Sequence, residues 1–197
     1  MLLKTVNKNR GFTLVELMVS VSVFAIIMTI SMGSILSVFD ANRKSQSLRA
    51  VMDNMNFTLE AMTRTIRFGT HYHCNISVVS PPLTSGNDCG FNSTADSIDV
   101  KTVDKLGVAH QVIYKRAVVS GKGRIARTVD GGTDYYLTSS DVDITKLSFN
   151  VFGSPAFPDP SQPQVIIVIS GFAGSKATSQ SKFSLETTVS QRLFDSQ

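Results

Sequence analysis

The sequence predicts an α+β protein: one long N-terminal α-helix whose C-terminal half packs on an antiparallel β-sheet head. Three observations predict it. Leu17–Phe39 is a run of 23 residues without a charge. Beyond it, Leu48, Val51, Met52, Met55, Leu59, Met62 and Ile66 recur at three- and four-residue steps, the period of a helix with one apolar face. The remainder alternates apolar and polar residues between short glycine-, proline- and serine-containing segments.

Residues 1–11 precede the apolar run and carry Lys4, Lys8 and Arg10 with no acid. The formal charge of +4 is concentrated there, because beyond residue 11 there remain 16 basic and 15 acidic residues. A basic composition therefore gives no reason to expect a nucleic-acid surface. Residues 12–39 form the expected transmembrane segment. Its uncharged run spans roughly 35 Å as a helix, enough to cross a hydrocarbon core of about 30 Å. The basic residues in front of it predict that this end stays in the cytoplasm.

A secretory signal has a shorter apolar region with a small-residue cleavage site at its far end. A plain signal anchor accounts for the length and the charges, but not for Glu16. An ionisable side chain there costs up to about 3 kcal/mol at the bilayer centre and less near the interface. The helix N-terminus offsets part of that cost.

The run Gly11-Phe12-Thr13-Leu14-Val15-Glu16 resembles the processing motif of type IV prepilins and type II secretion pseudopilins. The resemblance implies a pilin-like fold and a structural role rather than an enzyme. It implies that a prepilin peptidase/N-methyltransferase cuts after Gly11 and methylates Phe12 as the new N-terminus. Glu16 becomes the fifth mature residue, an assembly residue able to meet the Phe12 amine of a neighbouring subunit. Each ion is poorly placed alone in apolar surroundings and tolerable when paired. The alternative is a carboxylate resting at headgroup level. Further implied partners are other pilins or pseudopilins and an inner-membrane assembly platform. The implied location is the inner membrane, single-pass with the head outside the cytoplasm, and then a filament at the cell surface or in the periplasm.

Residues 40–68 continue the helix amphipathically, giving a helix of roughly 85 Å over residues 12–68. No proline precedes Pro81, and Gly33, near Ser31, Ser34 and Ser37, is the one glycine between Phe12 and Phe68. Small residues there allow close helix approach. Gly69 ends the pattern, and residues 69–197 form the β-rich head. Strands are expected at Ser97–Val103, Ala109–Val119, Arg124–Val129, Lys146–Phe152, Gln164–Ile169 and Lys182–Ser190. Ser120-Gly121-Lys122-Gly123 and Asp130-Gly131-Gly132 read as turns, and Pro155–Pro163 as a loop.

Asn54-Met55-Asn56-Phe57-Thr58-Leu59-Glu60 with Arg64, Ile66 and Arg67 is similar to the helix of J-type minor pseudopilins and W-type minor pilins. The same holds for the strand containing Ile113, for Gly123-Arg124-Ile125-Ala126-Arg127, and for Thr187-Thr188-Val189-Ser190-Gln191-Arg192.

Cys74 and Cys89 enclose 14 residues. A disulfide between them stabilises by about 3 kcal/mol and suits an exported domain; two free thiols are the alternative. His71, His73 and Cys74 lack a fourth zinc ligand. The spacing of Asp130, Asp134, Asp141 and Asp143 matches no calcium loop. No metal or cofactor is expected. Neither a Gly-x-Ser-x-Gly elbow, a phosphate-binding glycine loop nor a His-Glu-x-x-His pattern occurs. The other class of function compatible with these residues is a single-pass anchored β-domain that binds a partner without polymerising.

Overall fold

Helix α1 (Leu14–Phe68) begins where a threonine caps it. In the computed structural model the Thr13 carbonyl accepts the Leu17 N–H at 3.1 Å, and the Thr13 hydroxyl accepts the Glu16 N–H at 3.3 Å. Thr13 is thus the N-cap, and Glu16 sits at the third helical position with its charge in the first turn. The structure describes residues 11–74, 86–89, 95–154, 161–174 and 180–192. Lys4, Lys8 and Arg10 lie outside these residues, as does most of the Pro155–Pro163 stretch.

The chain forms two compact units, Met1–Arg43 and Lys44–Gln197. In the first, every described residue is exposed. Three of its hydroxyls are satisfied within the helix: Ser20, Ser22 and Thr29 donate to the carbonyls of Glu16, Met18 and Ala25 at 2.7–2.8 Å. Such back-bonding lets a hydroxyl sit in apolar surroundings.

In the second unit the helix buries Val51, Met55, Thr58, Met62 and Ile66. Their steps of four, three, four and four trace one stripe. The expected stripe is corrected at two positions. Met52 is 36% exposed, while Thr58 is fully buried. Thr58 is tolerated inside because its hydroxyl donates to Asn54 O at 2.8 Å and approaches Leu137 O at 3.3 Å. Asn54 adds a second tie, its Oδ1 accepting the Ser139 N–H at 3.0 Å. Gly69 then turns the chain without a side chain. A Cβ there would collide with the Val100 side chain and lie 2.9 Å from the Thr65 carbonyl oxygen.

Eight strands follow: β1 (Thr70–Cys74), β2 (Ser97–Val103), β3 (Ala109–Val119), β4 (Lys122–Val129), β5 (Tyr135–Tyr136), β6 (Val142–Phe152), β7 (Gln164–Ala173) and β8 (Ser181–Ser190). They form two antiparallel sheets, β1-β2-β3-β4-β5 and β6-β7-β8, in place of the single sheet expected. Sheet twist supplies the reason. Eight strands in one twisted sheet would carry the outer ones away from a single helix. Two smaller sheets keep strands of both against it. One continuous core joins Met55, Met62 and Ile66 of α1, Ile98, Tyr114 and Ile125 of the first sheet, and Phe149, Ile167 and Val189 of the second.

The sheets meet at β4 and β6. Arg116 Nε donates to Ile144 O at 2.6 Å, and the Gly123 N–H donates to Asp143 Oδ1 at 2.8 Å. The β3–β4 connection is the two-residue turn Ser120-Gly121, with φ of 51° and 78°. Positive φ at both positions matches strand twist across a two-residue hairpin. Lys122 and Gly123, expected in the turn, belong to the strand and pair with Val119 and Val118.

Candidate processing and assembly site

Gly11, Phe12 and Glu16 come together at the start of α1. An added Cβ on Gly11 would meet nothing within 4 Å. The fold itself thus makes no demand for glycine at this position, and its identity is free to serve recognition by another protein. Phe12 is 82% exposed, so its ring packs on nothing in the chain. The Glu16 carboxylate has no hydrogen bond or ion pair among the described residues, whereas its backbone N–H is capped by Thr13. Thr13 is the member of this site that the sequence reading passed over. Its signal is the capping pattern Thr-x-x-Glu at Thr13–Glu16.

The helix these residues open is long and apolar enough to cross a membrane. Residues 6–32 match the family model described as the prokaryotic N-terminal methylation motif. The match covers the leader boundary and the first part of the apolar run, and supports a pilin-like prepilin N-terminus that is a substrate for N-terminal processing. No curated protein and no solved structure matches the chain.

Other residues singled out from the sequence serve the head. Cys74 and Cys89 are joined as a disulfide with Cα atoms 6.2 Å apart. Cys74 ends β1 in the first sheet. Cys89 forms an antiparallel bridge with Val151 of β6, at N···O distances of 3.0 and 2.9 Å. The bond therefore ties one sheet to the other. With Cys74 so engaged and His71 Nδ1 3.0 Å from Thr70 Oγ1, the His71, His73 and Cys74 group serves the fold. Of the four aspartates considered for calcium, three have their carboxylates separately engaged. Asp130 meets His110, Asp134 meets Thr128 and Lys115, and Asp143 meets Gly123; Asp141 accepts Gly174 N–H through its backbone carbonyl. Among the described residues no group of three or more His, Cys, Asp or Glu is arranged to hold a metal ion.

His110 stands between two of these acids. Its Nδ1 is 2.6 Å from Asp130 Oδ2 and its Nε2 is 3.5 Å from Asp104 Oδ2. The Asp130 hydrogen bond, then that of Asp104, raises the imidazole above its ordinary value. Asp130 is lowered in turn, first by His110 and then by the Gln111 N–H. A group raised on folding contributes stability below its unfolded value of about 6.5, and loses it as pH rises through the folded value. Lowered carboxylates contribute above about 3.8 and lose it on acidification. Asp99, raised by burial on β2, acts in the same direction as His110, so the variant must be compared with the parent. His110→Gln is expected to reduce the loss of thermal stability as pH rises above about 6.5. Parallel melting curves of the two chains through that range would contradict it.

Proposed function

We propose that this chain is a minor structural subunit of a type IV pilus or type II secretion pseudopilus, nearest in kind to J-type minor pseudopilins and W-type minor pilins. It waits in the inner membrane as a single-pass protein, with its basic leader in the cytoplasm and its β-rich head outside. Prepilin peptidase removes residues 1–11 and Phe12 is methylated. The platform then draws the subunit into a filament through residues 12–39, with the amphipathic residues 40–68 and the head 69–197 carried along.

The observation that carries this reading is the N-terminal site itself. An unpacked Gly11-Phe12 step and a capped Glu16 open an exposed apolar helix, and the methylation motif covers them. The diffuse similarity of the head supports the minor class.

Intact mass and N-terminal sequencing test it, on protein recovered from cells that hold the matching peptidase. The expected product starts at N-methylated Phe12. A chain that retains residues 1–11 would overturn the proposal and leave a membrane-anchored β-domain that binds a partner without polymerising.

A further inference from the structure

Three arginines converge where α1 ends. Arg64 and Arg67 come from its last two turns, and Arg192 follows β8. The Arg192 N–H donates to the Arg67 carbonyl at 2.8 Å, and its guanidinium lies 5.9 Å from the centre of the Phe68 ring. These contacts hold two cations side by side from opposite ends of the head's sequence. They border two adjoining hollows of about 250 and 440 Å³, both lined by Arg67 and Arg192. The first hollow also takes Arg64 and Glu60; the second reaches Thr188 and Ser190 of β8.

The helix C-terminus favours positive charge, and this accounts for Arg67. It does not account for Arg192, which belongs to another element, or for the hollow between them. Among the described residues the ion pairs are those of His110 and Lys115, and no ion pair includes any of the three guanidiniums. Glu60 is the single acid in the lining. Guanidinium forks match carboxylate geometry. The β8 strand adds a second feature, since among the described strands it pairs with β7 alone and ends its sheet. A terminal strand offers hydrogen bonds to a polypeptide backbone, which a lone anion or a lipid headgroup does not use in this way.

We propose that this arginine hollow docks an acidic segment of a partner protein, its carboxylates on Arg67 and Arg192 and its backbone along the edge of β8. All these residues lie in Lys44–Gln197, so the inference stands apart from the processing of the N-terminus.

The test uses the full chain in non-ionic detergent at low ionic strength and a fluorescein-labelled hexaglutamate peptide, read by fluorescence anisotropy. Exposed pairs are each worth up to about 1 kcal/mol. Arg67→Gln with Arg192→Gln is therefore expected to weaken binding about tenfold or more. Lys101→Gln with Lys122→Gln, the same change of charge elsewhere on the head, is expected to leave it within about twofold. Should the glutamine variant fail to fold, Arg67→Lys with Arg192→Lys keeps the charge but loses the fork, and is expected to bind about threefold more weakly. Equal weakening by the two glutamine variants would overturn the proposal, as would unchanged binding by the lysine variant. Hexaserine binding as well as hexaglutamate would overturn it too. Displacement of the peptide by inorganic phosphate at matched charge would replace the acidic segment with a small oxyanion.

Discussion

A Glu16→Ala chain is expected to lose its first eleven residues normally and yet be missing from filaments. Cleavage depends on the Gly11-Phe12 step, which the substitution leaves in place. Assembly is different. On the proposed reading, the Phe12 ammonium of one subunit needs an opposite charge in an apolar filament core, and the Glu16 carboxylate supplies it. Breaking a buried ion pair by removing one partner costs about 3–5 kcal/mol, which corresponds to a drop in incorporation of roughly two to four orders of magnitude. Thr13 still caps α1 in this variant, because the capping contact uses the Glu16 backbone N–H. Loss of helix is thus not an alternative cause. Immunoblots of sheared filaments and of membranes measure the two pools. Wild-type incorporation of the variant would reduce Glu16 to a headgroup-level carboxylate.

The second large effect concerns the head. Phe149→Ala is expected to destabilise it by about 3–5 kcal/mol, a large part of the 5–15 kcal/mol typical of a domain. Phe149 is fully buried at the middle of β6. It pairs with Ile167 of β7 and bridges to Ala95, whose carbonyl accepts the Phe149 N–H at 3.0 Å. Truncation leaves a cavity among strands that cannot collapse without breaking those ladders. Phe152→Ala, at the exposed end of the same strand, provides the contrast and is expected to cost about 1 kcal/mol or less. Urea unfolding of the disulfide-bonded chain reads both. Equal midpoints would place the core elsewhere.

The long helix was legible because its signals are local. A chargeless run and a repeating stripe need no knowledge of what they pack against, and the predicted end at residue 68, before Gly69, is the observed one. Six strands were legible for the same reason, though four were shortened, β6 and β7 the most. In β6 the buried residues run Val142, Ile144 and then Leu147, Phe149, Val151. The phase changes across an irregularity in register between Ile144 and Lys146. A period-two reading therefore begins only at Lys146. In β7 the strand continues past Ile169 through Gly171, where a Cβ would collide with the Asp143 carbonyl. Close approach of two backbones, not a strand end, requires that glycine.

β1 and β5 were not legible. Thr-His-Tyr-His-Cys has a single apolar side chain buried, Tyr72, whose hydroxyl donates to Ile66 O at 2.7 Å. Tyr135–Tyr136 is two residues long with both exposed. Neither has a pattern until its neighbour is present. The division into two sheets was hidden likewise, because it depends on pairings between residues far apart in the chain. At the N-terminal site the motif residues were plain, while Thr13 went unread as a cap because it lay inside the motif.

The tie between Arg192 and Arg67 has a consequence for the order of events during synthesis. The apolar stripe of α1 is made early, at residues 51–66, but Phe183 and Val189, which belong to the same core, are made more than a hundred residues later. At roughly 5–20 residues per second, the stripe waits on the order of ten seconds for the strand that closes the core. A nascent chain in that interval exposes Met55, Met62 and Ile66 together with an unfinished second sheet. The head thus completes its core only once β8 has been made, and a chain that stops before β8 leaves that core unfinished and open to aggregation.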